Sequence, residues 1–181
     1  MVERGNVIAV FGTGKAVAGD EEFRIAYEVG RELAQSGFVV ANGGYGGTML
    51  ASAKGARQAG GEVIGVTCSA FQRSRANEYI TKEITTDSLG QRLETLVRLG
   101  AGYVVFAGGT GTLLELAYVW EFENKGFLPG GKPIIIVGEF WKPLVKLIAG
   151  ADPECAGCVE IADGPRRAVE ILDGLTDESI L

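Results

Sequence analysis

The stretch YVVFAGGTGTLLELAYVW, residues 103–120, decides the fold. An unbroken apolar run passes through a glycine-rich turn straight into a run of apolar helix formers. That order predicts a buried strand over residues 103–107, a turn, and a helix over residues 112–125. The same unit recurs along the chain. Strands are expected at 6–11, 38–42, 62–67, 79–85, 133–138 and 158–162, with helices at 20–36, 47–59, 88–99, 140–149 and 165–173 and an irregular stretch between the strands at 62–67 and 79–85. Continuous apolar strands alternating with helices predict a parallel sheet covered on both faces, hence a doubly wound α/β fold. No repeat, low-complexity tract or linker interrupts the pattern, so one domain over residues 1–181 is expected.

Composition narrows the function. A chain of 181 residues that is 46% hydrophobic can bury roughly 70% of the surface its unfolded form exposes, without a disulfide scaffold. Its 17 basic and 23 acidic residues give a net charge of −6, which disfavours a general grip on nucleic acid or on an anionic membrane. An anion must therefore be held locally. The opening MVERGNVIAVF has a five-residue apolar run, too short for a signal segment, and nowhere do 18 apolar residues occur together, so a cytoplasmic protein is expected. Cys155 and Cys158 form a lone C-x-x-C in a chain with no histidine, and Cys68 ends an apolar run. These read as thiols in a reducing compartment; no metal and no cofactor is expected.

Three glycine turns follow predicted strands: FGTGKA at 11–16, NGGYGGT at 42–48 and AGGTGT at 107–112. Each can turn backbone N–H groups toward an anion at a helix N-terminus, and all three lie at the carboxyl edge, where such sheets bind ligands. For Gly12 and Gly14 alone, close packing is the simpler explanation. A dinucleotide site is disfavoured, because Val17 stands where the third glycine should be and the second strand ends in Ala41-Asn42 rather than in an acid. A P-loop is excluded, since no G-x-x-x-x-G-K-[ST] occurs. A small phosphorylated ligand remains, best a mononucleotide.

Two charged residues sit among apolar neighbours. Thr112-Leu-Leu-Glu115 has the spacing of a capping box, which would explain both residues without a ligand. Yet the apolar run 113–120 surrounds Glu115, and a desolvated carboxylate beside a glycine turn also fits an active site. Arg92 lies in DSLGQRLETLVRLG, residues 87–100, opened by Asp87 or Ser88 as cap with Gln91 able to close a capping box. Helical periodicity puts Leu89, Leu93, Leu96, Leu99 and Gly100 on one face with Arg92 inside it, while Glu94 and Arg98 point away. Arg92 either snorkels from that face or meets an anionic partner, such as a ligand or Glu115.

The series GGYGGTM (43–49), QR (91–92) and GGTGTLLE (108–115) resembles the LOG family of phosphoribohydrolases, also labelled lysine decarboxylase-like. Its marks are a G-G-G-x-x-G-L-M turn, an M-x-x-R-K helix and a P-G-G-x-G-T-x-x-E loop, matched in order from Val7 to Leu147. The chain departs from them at Ala107 for the proline, Leu93 for the lysine, and GGYGGTM in the middle turn. The resemblance implies a Rossmann-like fold and a homodimer. It makes Arg92 and Glu115 the catalytic pair and sets Gly108, Gly109, Gly111 and Thr112 around a 5′-phosphate, with Thr110 in the same turn. Gly43, Gly44, Gly46, Gly47 and Thr48 would line the other side, with Gly12 and Thr13 of the first turn as further binding residues. No lysine with a pyridinium partner supports a decarboxylase.

Two functions follow from this resemblance. One is hydrolysis of an AMP-like or cytokinin-like nucleoside 5′-monophosphate to free base and ribose 5-phosphate, with the base met by the loop AFQRSRANE at 70–78. The other is a carrier of nucleotide or molybdenum cofactor without turnover, as in the related molybdenum-cofactor carrier proteins. For the homodimer, Leu96, Val119, Trp120 and Phe122 on the helices at 88–99 and 112–125 are the expected apolar contacts.

Overall fold

A computed structural model describes residues 7–71 and 75–177, with side chains described to residue 174. Gln72, Arg73 and Ser74, in the middle of the expected base-contacting loop, lie outside the described residues. Among the described residues seven strands and six α-helices follow one another, with β3 passing to β4 without a helix between: β1 (Val7–Phe11), α1 (Glu21–Gln35), β2 (Val39–Asn42), α2 (Thr48–Gln58), β3 (Val63–Cys68) and β4 (Lys82–Thr86). The second half comprises α3 (Leu89–Leu99), β5 (Gly102–Val105), α4 (Thr110–Asn124), β6 (Ile134–Val137), α5 (Lys142–Ala151), β7 (Val159–Ala162) and α6 (Pro165–Asp177). A short 3-10 helix, Pro153–Cys158, which the sequence reading did not anticipate, carries Cys155 and Cys158.

All seven strands pair in parallel, in the order β4-β3-β2-β1-β5-β6-β7. The chain winds outward from β1 to β4, then crosses over to β5 and winds the other way. The carboxyl ends of β1 and β5 thus flank the switch point, the crevice where doubly wound sheets bind ligands.

Strand side chains alternate between two cores. Val7, Ala9 and Phe11 face Leu93, Leu96 and Val97 of α3 and Leu116, Val119 and Trp120 of α4. Ile8 and Val10 face α1, α2 and α6 through Ala26, Val29, Leu33, Ala51, Ala56 and Leu172. The helices α1 and α2 approach until backbones touch: a side chain at Gly30 would strike the Ser52 carbonyl, and one at Gly55 the Tyr27 carbonyl.

Four expectations need correction. The fourth strand begins at Lys82 rather than at 79, because residues 77–80 close a turn that lays Ile80 over Gly65. Leu89 is 46% exposed, since it opens α3 beyond the sheet. Leu96, Val119 and Trp120 are buried within the chain, so these three offer no surface to a partner, while half-buried Phe122 stacks on Tyr118 with ring centroids 4.2 Å apart. The fourth is the start of α4, two residues earlier than expected, which bears on Glu115 below. Among the described residues no helix is long and apolar enough to cross a membrane.

Candidate active site

The three glycine turns meet. The Thr13 amide donates to the Ala107 carbonyl at 3.2 Å, and the Thr13 carbonyl accepts from both the amide and the hydroxyl of Thr48, at 2.9 and 3.1 Å. Loops after β1, β2 and β5 thereby form one continuous wall at the carboxyl edge. Asn42 holds the middle turn in shape: its Oδ1 accepts from the Gly44 amide, and its Nδ2 donates to the Met49 carbonyl and to Ser52 Oγ. The residue standing where a ribose-binding acid was sought is thus a buried clamp.

Many of the glycines are explained by packing. A side chain at Gly12 would strike Thr48 and Phe106, one at Gly47 the backbone of Thr13 and Gly14, and one at Gly108 the Thr112 side chain. Gly44 and Gly47 also have φ of +78° and +66°, where side chains are strained. A side chain at Gly46 would make only ordinary contact, its Cβ 3.4 Å from the Gly14 carbonyl. Thr13 has spent both backbone groups on neighbouring turns, so the first turn is a junction. Gly109 and Gly111 differ: a side chain there would meet no atom within 4 Å, and neither has a positive φ. Neither packing nor backbone geometry requires glycine at these two positions, as also at Gly150 and Gly164 elsewhere, and at the start of α4 the missing side chains leave the backbone open to close approach.

The helix α4 starts at Thr110 with Gly109 as its N-cap, and no side chain caps it. Thr112 is therefore already inside the helix, and the capping-box reading of Thr112 and Glu115 fails. The first amides of α4, from Gly109 to Thr112, have no acceptor within the helix and sit at its positive end.

Arg92 is 7% exposed and fixed from several sides. Its helix is capped by Ser88 Oγ, which accepts from the Gln91 amide, while Gln91 Oε1 accepts from the amide of Asp87, one residue before the expected partner. Arg92 Nε donates to the Val66 carbonyl at 2.9 Å, and its Cζ lies 5.7 Å from the centroid of the Tyr45 ring. Nη2 fills the place where a side chain at Gly43 would stand and approaches Met49 Sδ at 3.9 Å. Nη1 is 3.5 Å from Glu115 Oε1. Gly43 is thus glycine because Arg92 needs its space.

The Glu115 side chain is 14% exposed. Burial pushes its pKa up from 4.5 to about 7, and the Arg92 guanidinium, by charge and hydrogen bonding, pulls only part of the way back. Leu113, Leu114 and Ala117 are exposed, so the apolar sequence around Glu115 is not what desolvates it. The site therefore brings together Arg92, Glu115, Gly43 and the start of α4, and the sequence reading missed Asn42 and Tyr45 as its supports. Only the position of Tyr45 inside a glycine turn, where an aromatic side chain has no turn-forming purpose, was a usable signal. Among the described residues no group of histidine, cysteine, aspartate or glutamate side chains could hold a metal ion.

Comparison with known proteins bears on the fold and on the family. An uncharacterized protein of Archaeoglobus fulgidus is 35% identical over 131 residues, 72% of this chain and 83% of that protein. Cytokinin riboside 5'-monophosphate phosphoribohydrolase of Mycobacterium tuberculosis is 33% identical over 120 residues, 65% of this chain and 63% of that protein. Among solved structures, the molybdenum cofactor binding protein of Rippkaea orientalis superposes with a TM-score of 0.79 at 24% identity, covering 96% of this chain and 98% of that one. The molybdenum cofactor carrier protein of Chlamydomonas reinhardtii gives a TM-score of 0.74 at 25% identity, with 97% and 99% covered. These confirm the Rossmann-like α/β fold. Residues 6–152 match the SLOG cluster4 family, and the chain belongs to that family.

Proposed function

We propose that this chain is a phosphoribohydrolase that cleaves the N-glycosidic bond of an AMP-like or cytokinin-like nucleoside 5′-monophosphate. One observation carries the reading: the buried Glu115 carboxylate, poised near neutrality against Arg92, lies beside a bare helix N-terminus. Water adds to the anomeric carbon, the bond from that carbon to the base breaks, and a proton leaves with the base. Nucleotide and water thus give free base and ribose 5-phosphate, with no metal or cofactor in the scheme. Positive charge develops on the sugar in such a transition state, and an ionised Glu115 would stabilise it and position the water. Arg92 would orient Glu115, while the amides of residues 109–112 hold the phosphate and anchor the substrate away from the reacting bond.

This predicts that inorganic phosphate competes with AMP and that adenosine binds far more weakly than AMP. Gly109→Ala should cost at most about 1 kcal/mol of stability, as a changed cap does. It should weaken AMP binding about tenfold or more in calorimetry, because the new methyl projects into the ligand's space. Equal affinities for adenosine and AMP would contradict the phosphate site.

A carrier without turnover is the second reading, and a specific observation favours it. The family's lysine after the arginine is Leu93 here, and Leu93 is buried in the core, so it brings no second cation to the site. Base release by the wild type separates the two readings.

For the assembly, we propose a homodimer through α4 and α5 in place of the contacts expected from sequence. Leu113 and Leu114 on α4 and Leu147 and Ile148 on α5 are exposed, Leu147 by 70%. Leu113 and Ile148 line a mostly apolar groove of about 290 Å3 that reaches Trp120 and Leu144. Light scattering at micromolar concentration should give twice the chain mass, and Leu147→Glu should give the single chain; a monomeric wild type would contradict the dimer. A nucleoside monophosphate substrate fits a cytoplasmic location.

A further inference from the structure

A second hollow, of about 460 Å3, opens on the same sheet edge and shares the Tyr45 ring with Arg92. Its lining includes Tyr45, Thr67, Phe71, Arg75, Glu83 and Thr85. The register of β3 against β4 pairs Gly65 with Glu83 and Thr67 with Thr85, so Thr67, Glu83 and Thr85 project from one face. Thr67 donates its hydroxyl to Glu83 Oε1 at 2.7 Å, which fixes the carboxylate. The aromatic wall is fixed as well. Tyr45 OH accepts from the Cys68 amide at 2.8 Å and donates to the Cys68 carbonyl at 3.3 Å. Asn77 ties the following loop to the glycine turn, donating through Nδ2 to the Gly44 and Tyr45 carbonyls and through its amide to Gly44.

Along the edge the order is the start of α4 after β5, then Arg92 and Glu115 near the ends of β2 and β3, then this hollow beyond β3 and β4. Thr67, Glu83 and Thr85 project from the face packed on α1 and α2, whereas Arg92 and Glu115 lie on the face of α3 and α4. A nucleotide anchored by its phosphate at α4, with its ribose at Glu115, would therefore carry its base over the carboxyl ends of β2 and β3, past the Tyr45 ring, to reach the hollow. We infer that the hollow is the base-recognition subsite and that Glu83 and Arg75 select a 2-amino-4-oxo heterocycle, the edge shared by guanine and pterin, over adenine. This rests on the phosphate and ribose positions proposed above and replaces the adenine base of that reading with a guanine-type one.

The chemistry is a match of donors and acceptors. An ionised carboxylate only accepts, and a guanidinium only donates. A guanine-type edge presents two adjacent N–H donors beside a carbonyl acceptor, so Glu83 can take both donors while Arg75 meets the carbonyl. Adenine presents one amino donor beside a ring nitrogen lone pair, which would face a carboxylate oxygen with no proton between them. The Oε1 atom that already accepts from Thr67 keeps a second lone pair for this contact.

Calorimetry with GMP, IMP, AMP and a pterin phosphate, on wild type and Glu83→Gln, tests the inference. The wild type should bind GMP about 10- to 100-fold more tightly than AMP, the range for one well-made bidentate contact, with IMP between them. Glu83→Gln should reduce the GMP preference to about threefold or less, both by weakening GMP and by relieving the clash of lone pairs with adenine, while inorganic phosphate still competes with either nucleotide. A pterin phosphate that outcompetes GMP would make a pterin the occupant; weaker binding would make it a guanine nucleotide. Equal binding of AMP and GMP by the wild type, or a preference that survives Glu83→Gln, would overturn the subsite. A GMP preference without base release would leave the subsite standing and contradict the hydrolase. Base release without a GMP preference would do the reverse.

Discussion

Replacing Glu115 by glutamine is expected to lower base release about 10²-fold or more, the usual scale for a positioned acid or base. AMP should still raise the melting temperature, because the phosphate-binding start of α4 is untouched. Since no side chain caps α4, glutamine has no capping partner to imitate, and a loss of turnover reports the charge itself. The pH dependence gives an independent signature. Burial holds Glu115 protonated up to about pH 7, so kcat/KM should climb with pH and level off above that value; the acidic limb should vanish in Glu115→Gln. Stability carries the opposite slope. Between the ordinary value of 4.5 and about 7 the folded chain holds a proton that the unfolded chain releases, so stability falls as pH rises through that window. Melting temperatures of the glutamine variant should lack this decline.

Removing Arg92 should be as damaging. Arg92→Ala deletes the guanidinium that partly counters the burial of Glu115, so turnover should fall about 10²-fold or more and any residual activity should require a higher pH. Gly43→Ala reaches the same end without touching a charged residue: its methyl would occupy the place of Arg92 Nη2 and drive the guanidinium out. A merely structural arginine would lower the melting temperature in both variants and leave the pH profile where it was. Turnover, melting temperature and the acidic limb, measured on both, separate the cases.

Much of this site is legible in the sequence because periodicity reports which face of an element is buried. Arg92 falls inside the apolar face of its helix by its 100° spacing, and it is buried there. The strands are legible because burial on both faces demands unbroken apolar runs, as in VIAVF and IIIV. The start of α4 is not. Thr112 and Glu115 have the spacing of a capping box, but helical geometry extends back through Gly111 and Thr110 and makes that spacing coincidental. Contacts between distant segments are hidden for a related reason. That Gly43 is glycine for Arg92, or that Glu83 and Thr67 share a face, depends on crossover and strand register, which local pattern does not encode. Leu96, Val119 and Trp120 read as surface candidates because composition alone does not tell the buried side of an apolar helix from its exposed side.

The most direct measurement is a single-turnover incubation of excess wild-type protein with nucleoside 5′-monophosphate, with nucleotide, free base and ribose 5-phosphate quantified together. The predicted result is loss of nucleotide matched by equal amounts of base and ribose 5-phosphate, faster at pH 8 than at pH 6 as Glu115 ionises around 7. Saturated binding with the nucleotide recovered intact would contradict the hydrolase and leave a carrier.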